Sequence, residues 1–258
     1  KSAEVMGLGQ LSVTAEAGVG QFEVTMAHGP ALHIADNVIL LKELIKGTAR
    51  NHGMAATFMA KPFATESGNG LHTHFSVLNR EGENVLCDEA ILMAAVAGCL
   101  NSFSASTLFF APYINSYSRF VSGAHAPTSA TWGFENRTVA IRIPGGKTAS
   151  TRIEHRVAGG DANPYLLFTA IFGAALQGIK SKLKPPEPTT GNAYKKPNPA
   201  SELLKNLPEA IEAINHSLIS GFFSEVILQN LAATKAQEFK LFSQMSDHDT
   251  LLALIDTA

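Results

Sequence analysis

Short segments that alternate strictly between charged or polar residues and apolar ones constrain this chain most tightly. In GQFEVTMA, Gly20 to Ala27, Gln21, Glu23 and Thr25 fall on one side and Phe22, Val24 and Met26 on the other. LHTHFSVL puts His72, His74 and Ser76 opposite Leu71 and Phe75, and TRIEHRV puts Arg152, Glu154 and Arg156 opposite Ile153 and Val157. Side chains two residues apart on a strand share a face. Desolvating an unpaired charge is costly. The charged faces must therefore meet water or a polar cavity, while the apolar faces pack on helices. With 258 residues, 45% of them hydrophobic, the chain can build one sizeable core or two small ones.

Helices and turns surround these strands without a regular alternation. DNVILLKELIKGTARNHG predicts a helix with Asp36 as N-cap and Gly53 as its stop. ATFMAKP reads as a short buried strand ended by Pro62, and NREGEN as the turn after LHTHFSVL. Asp88 caps a helix over Glu89 to Phe103, and Asn163 with Pro164 opens a strongly apolar helix in DANPYLLFTAIFGAALQGIKSKL. RTVAIRIP and TRIEHRV are strands joined by GGKTAS. Ala111 to Phe134 is a long aromatic-rich loop, of a length that usually signals function. KPPEPTTGNAYKKPNPA is a Pro-rich surface excursion, and Leu203 to Ala258 is amphipathic helix with breaks. The class is α+β with a mainly antiparallel sheet, which excludes a TIM barrel and a Rossmann fold. Neither GxGxxG nor GxxxxGK[ST] occurs.

A net charge of −2 and a pI near 6.5 argue against a nucleic-acid partner. The sequence has no run of eighteen apolar residues, so no membrane association is expected. Cys87 and Cys99 lack metal-type spacing, which excludes a thiolate zinc site and favours a reducing, cytoplasmic compartment. A first residue of Lys1 and a start close to strand-like sequence lead us to expect a fragment of a longer protein.

Carboxylates, imidazoles and guanidiniums on shared strand faces suit a divalent metal held against phosphates. Carboxylates bind the hard cation and arginines grip phosphoryl oxygens in forked geometry. Magnesium or manganese suits the set better than zinc, because carboxylates outnumber nitrogen donors and no thiolate helps. Each residue also has a plainer role. Glu23 alone is a solvated strand residue, His72 and His74 alone are structural histidines, and Arg152–Glu154–Arg156 alone is an ion-pair ladder worth little. The residues by themselves leave both roles open.

A set of segments taken in order is more specific: EAGVGQFE (16–23), GNGLHTHFS (68–76), NSYSRFVSG (115–123), NRTVAIRIP (136–144) and TRIEHR followed by DANPYL. Together they resemble the C-terminal catalytic part of the glutamine synthetase family, over the whole of residues 1–258. The resemblance implies a curved, mainly antiparallel sheet whose polar face lines an active site, with helices on the other face. It implies ATP with Mg2+ or Mn2+ as cofactors, glutamate and ammonia or an amine as substrates, and a homo-oligomeric ring, with a dodecamer as one size. Glu16 and Glu23 would bind the metal beside the amino acid, and His72 and Glu154 the metal that bridges the nucleotide phosphates. His74 and Ser76 would contact ATP, and Arg142 and Arg152 its phosphates. Gly68 would lie in the loop that touches glutamate, with Arg119 and Arg156 on its carboxylates. Arg137 would stabilise the transferred phosphoryl group. In the family's reaction ATP phosphorylates the γ-carboxylate, and an amine then displaces phosphate from the acyl phosphate.

Departures from the family pattern sharpen these expectations. The family's N-terminal β-grasp domain, and a strand with paired metal-binding glutamates, fall before Lys1. Weak or no catalysis is expected of this chain alone. Ammonia-using members carry a glutamate six residues after the NSY arginine, where His125 stands here. A neutral imidazole can act as a base but does not hold ammonium as a carboxylate would. That favours the γ-glutamyl-amine branch, with Trp132 and Phe134 expected to line an apolar amine pocket. A zinc hydrolase built on the HTH pair would need a barrel and later ligands. A catalytically inactive family member with a structural role is the alternative of another class, and retained Glu16, Glu23, His72 and Glu154 argue against it.

Overall fold

The structure, a computed structural model, describes residues 2–123, 125–145, 150–195, 201–214 and 220–255. The site is built on a four-stranded sheet of β3 (Thr73–Phe75), β4 (Trp132–Phe134), β5 (Ile141–Ile143) and β6 (Ile153–His155), in the order β3-β6-β5-β4. β6 is antiparallel to both of its neighbours, and only the β4–β5 pair is parallel. The α+β class and the mainly antiparallel pairing follow the sequence expectation. A separate antiparallel hairpin joins β1 (Leu11–Ala15) to β2 (Phe22–Met26). The helices are α1 (Ser2–Val5), α2 (Ala31–Asn51), α3 (Glu89–Phe110), α4 (Pro164–Lys180), α5 (Leu207–Ala213), α6 (Glu225–Phe242) and α7 (Asp247–Ile255).

The apolar face of the main sheet packs on α3 and α4. Phe75 meets Phe172 of α4 edge-on at 5.3 Å, and His155 lies against Phe103 and Phe110 of α3 at 5.1 and 4.7 Å. Both helices start where the sequence places them. Asp88 accepts from the backbone N–H of Ala90 and Ile91, and Asn163 from Tyr165 and Leu166. α3 runs past the expected end at Phe103 to Phe110. Two hydroxyls in its second half bond back into the helix, Ser102 to the Cys99 carbonyl at 3.0 Å and Thr107 to Phe103 at 2.7 Å, which eases the burial of a polar-looking stretch. By length and composition α3 could cross a membrane, although polar residues interrupt its apolar sequence; here it is a buried core helix.

Other expectations are corrected. α2 begins at Ala31 behind Pro30, with no side-chain cap, and Asp36 lies inside it, accepting from the Tyr165 hydroxyl at 2.6 Å. Gly53, at φ +70°, does end that helix. ATFMAKP forms no strand. Side-chain amides replace the ladder there: Lys61 N–H donates to Asn115 Oδ1 and the Met59 carbonyl accepts from Asn69 Nδ2. The loop from Ala111 to Phe134 holds a 3-10 turn, Ile114–Arg119, and strand β4. Part of the Pro-rich stretch packs instead of wandering over the surface, since Thr189 N–H donates to the Trp132 carbonyl at 2.7 Å. Phe22 is 65% exposed, because the β1–β2 pair meets no second layer among the described residues. Residues 146–149 of GGKTAS, 196–200 of the Pro-rich stretch, and 215–219 and 256–258 of the C-terminal helical region lie outside the described residues.

α3 and α4 cross at a glycine pair. A Cβ on Gly178 would run into the Ala94 carbonyl and the Gly98 backbone, and one on Gly98 into Ala174 and Gly178. Gly178→Ala is expected to cost about 2 kcal/mol by overpacking, a fall of roughly 4–8 °C in Tm. Gly47→Ala, on α2 where a Cβ meets nothing, is expected to hold or raise Tm. Thermal unfolding of both variants by circular dichroism checks the contrast.

Candidate active site

The strand register assembles a row of polar side chains. His74 on β3 and Arg142 on β5 both stand opposite Glu154 on β6. Residues directly opposite share a face, and here that face is turned away from α3 and α4. Glu154 is only 2% exposed. Arg142 Nη1 binds one carboxylate oxygen at 2.8 Å and Arg156 Nη1 the other. His72 Nδ1 lies 3.5 Å and His74 Nε2 3.9 Å from that second oxygen. The outer contacts continue the row: Arg152 Nε donates to His74 Nδ1 at 3.3 Å, and Arg142 Nη2 binds Glu135 Oε2 at 2.5 Å.

Protonation follows from these surroundings. Burial pushes Glu154 up, but Arg156, the two histidines and Arg142 outweigh it and hold the carboxyl below its ordinary value. Desolvation, helped by Arg156, drives His72 down to about 3, and desolvation also lowers His74. Both imidazoles are therefore neutral near pH 7; the lone pair of His74 accepts from Arg152, and His72 has one to offer a cation. A neutral imidazole beside an ionised carboxylate is a chemically suitable donor pair for a divalent cation. Among the described residues no group of three or more His, Cys, Asp or Glu side chains converges, so the pair would supply only part of a coordination shell.

The hairpin brings a second pair. Glu16 N–H bonds the Gln21 carbonyl and Glu23 stands opposite Thr14, which places Glu16, Gln21 and Glu23 on one face. Gln21 anchors the hairpin to the Gly68 loop, its Nε2 donating to the Gly68 carbonyl at 3.1 Å and to Asn69 Oδ1 at 2.8 Å. Arg119 ends the 3-10 turn, is 3% exposed, and donates from Nη1 to the Val157 carbonyl at 2.9 Å. Its stem lies against Gly68, where a Cβ would sit 2.7 Å from Arg119 Cγ and 2.8 Å from the Ala60 carbonyl. Only glycine leaves room for the arginine to pass.

The remaining candidates stand nearer the solvent. Ser76 Oγ donates to the Thr151 carbonyl at 3.4 Å, Arg137 is exposed, and His125 is exposed with a left-handed φ of +61°. Together with Glu16, Glu23, Gly68, His72, His74, Arg119, Arg142, Arg152, Glu154 and Arg156, all of them line one open cleft of about 3000 Å³. Trp132 and Phe134 do not. Trp132 is 3% exposed and its indole N–H donates to the Pro186 carbonyl at 2.7 Å. Phe134 borders a different, smaller hollow with Pro188 and Thr189. Pairing with β5 makes this segment a strand and commits its aromatics elsewhere, so the expected amine pocket is not built from them.

Sequence reading passed over several groups that hold the site. Glu135, at φ +49°, accepts from Arg142 and from the backbone N–H of Gly145; nothing in FENR marks it. Lys42 had a signal, a lone lysine inside VILLKELI. Its ammonium donates to the Gly160 carbonyl at 2.5 Å and to that of Ala162 at 3.4 Å, and burial lowers it to about 8.

Comparison with known proteins matches residues 1–251 to the family model "Glutamine synthetase, catalytic domain". The chain is 45% identical over 184 residues to gamma-glutamylputrescine synthetase PuuA of Escherichia coli (strain K12), covering 69% of this chain and 39% of that protein. It is 34% identical over 254 residues to a glutamate–isopropylamine ligase of Pseudomonas sp, covering 95% and 55%. Among solved structures, "GmaS/ADP complex-Conformation 1" superposes with a TM-score of 0.87 at 32% identity, over 96% of this chain and 60% of that one. The chain thus spans about half the length of the curated relatives it matches.

Lys42 carries a pH signature. Its folded value, about 8, lies below the 10.5 of an unfolded lysine, so between these values the unfolded chain binds more protons and stability rises with pH. The stability difference between wild type and Lys42→Met is expected to widen in favour of wild type from pH 8 to pH 10 and to stay flat from pH 6 to pH 8. Denaturant melts across that range measure it.

Proposed function

Since the chain belongs to the glutamine synthetase family through its catalytic domain, we propose that the protein is an ATP-dependent carbon–nitrogen ligase joining the γ-carboxylate of glutamate to a primary amine. The observation that carries this reading is the row His74–Glu154–Arg142 with His72, Arg152 and Arg156 around it. It sets imidazoles and a carboxylate suited to a cation, and guanidiniums suited to phosphate, on one face of one cleft.

In this reading Arg142, Arg152, His74 and Ser76 hold the nucleotide. His72 and Glu154 would hold one divalent cation, Mg2+ or Mn2+, and Glu16 and Glu23 another; cations bound there would supply charge neutralisation for phosphate and carboxylate. Arg119 and Arg156 hold the carboxylates of glutamate, with Gly68 beside them. Arg137, exposed in the cleft and without an ion pair among the described residues, stabilises the transferred phosphoryl group. The amine nitrogen then bonds to the γ-carbon, the C–O bond to phosphate breaks, and the amine proton passes to His125.

An amine is favoured over ammonia by His125, a residue that can accept a proton but, neutral, cannot attract ammonium. The names of relatives support the same choice, among them gamma-glutamylethanolamide synthetase GlnA4 of Streptomyces coelicolor, 36% identical over 241 residues.

Phosphate release from ATP by the full-length polypeptide, with glutamate, Mg2+ or Mn2+ and a panel of amines, tests the proposal. Turnover is expected to be faster with at least one primary amine than with ammonium at equal concentration; faster turnover with ammonium than with every amine would overturn the amine reading. The two histidines are expected to separate in titration calorimetry. His72→Asn weakens the metal about tenfold or more, whereas His74→Asn weakens ATP roughly tenfold and leaves the metal alone.

A further inference from the structure

Arg119 reaches the cleft from a six-residue 3-10 turn, an element too short to hold itself in place. Its neighbours hold it. Asn115 accepts from Lys61 N–H at 2.8 Å and donates to the Lys61 carbonyl at 2.9 Å, which ties the turn to the segment that carries Gly68. Ser116 Oγ accepts from Tyr113 N–H at 3.0 Å, closing the start of the turn, and donates to Asp161 Oδ2 at 2.5 Å.

Asp161 is 7% exposed. A buried carboxylate is costly, and a serine hydroxyl can be satisfied by any backbone carbonyl. A loop leading into a helix has no need of an acid that Asn163 does not already meet as the α4 cap. What Asp161 alone supplies is a rigid tie between the two ends of Arg119. The root of Arg119 is fixed through Ser116. Its guanidinium is fixed by the Val157 carbonyl, on the same 157–161 segment. Lys42, bound to the carbonyls on either side of Asp161, holds that segment against α2. Burial raises the Asp161 carboxyl above its ordinary value, and the Ser116 hydroxyl and the positive charges of Arg119 and Lys42 act against that rise.

We propose that Asp161 is a positioning residue: through Ser116 it locks the 114–119 turn in the register that aims Arg119 at a carboxylate of the amino-acid substrate. The inference deepens the ligase reading above and rests on it.

The test uses Asp161→Asn and Ser116→Ala in the full-length polypeptide. Asparagine keeps the size of Asp161, so the fold survives, but replaces the charge-assisted bond from Ser116 by a weaker neutral one, and the second variant removes the same bond from the other side. Each variant is expected to raise KM for glutamate about tenfold, with kcat at saturating glutamate changed less than about threefold. ADP affinity, by calorimetry with Mg2+, should be unchanged, and the double variant should be no worse than the weaker single one. An unchanged KM for glutamate overturns the proposal. So does a parallel loss of glutamate affinity, ADP affinity and Tm, which is the mark of a purely structural role. If wild type binds glutamate but does not turn over ATP with any amine, the ligase reading fails by itself, and the same tenfold loss, read as glutamate affinity, still decides the role of Asp161. If wild type binds no glutamate, both fail.

Discussion

Glu154 carries a charge that the fold could not bury without company, and its company is the site. A carboxylate 2% exposed on a central strand is tolerable only when its lone pairs are occupied. Arg142 and Arg156 occupy them from the next strand and from two residues along, while His72 and His74 complete the ring from β3. Two of these partners, His74 and Arg142, are placed by the strands on either side of β6, so Glu154 also reports on the register of β3 and β5. A one-residue slip of β3 or β5 would turn His74 or Arg142 toward the helices. The same charge that makes the sheet costly to misassemble makes its open face suited to cations and phosphates.

Behind that face lies an ordinary apolar core, and the contrast sets where the molecule is rigid. α3 and α4 meet backbone to backbone at Gly98 and Gly178, and Phe75, Phe103 and Phe110 bind the thin sheet to them. Polar side chains are then held by stiff elements from behind and by hydrogen-bonded turns from the sides. Gln21 ties the hairpin to the Gly68 loop, and Asn115 and Ser116 tie the Arg119 turn to its neighbours. Substrate specificity and phosphate chemistry would thus draw on separate supports, turns for the amino acid and strands for the nucleotide.

The strand faces were legible in the sequence because period-two alternation is a local property, and the caps at Asp88 and Asn163 were legible because a side chain announces them. The pairing of His74, Glu154 and Arg142 was not, since register is decided between segments far apart in the chain. ATFMAKP looked like a strand because its buried backbone is satisfied by Asn69 and Asn115 instead of by a ladder. The start of α2 was missed because Pro30 marks it by geometry without a side-chain bond. Trp132 and Phe134 looked available for a ligand until the parallel pairing of β4 with β5 claimed them. Single residues were legible by chemical type, and their neighbours were not.

The central claim is that Glu154, shared between Arg142 and Arg156, is the point where cation and nucleotide would meet. A crystal structure of the full-length polypeptide with ADP and Mn2+, with manganese located by anomalous scattering, tests it most directly. The account predicts a manganese peak within coordination distance of both His72 and Glu154, with Arg142 turned from Glu135 to a phosphate oxygen. A manganese peak remote from Glu154, with Arg142 and Arg156 still bound to it as before, would contradict it.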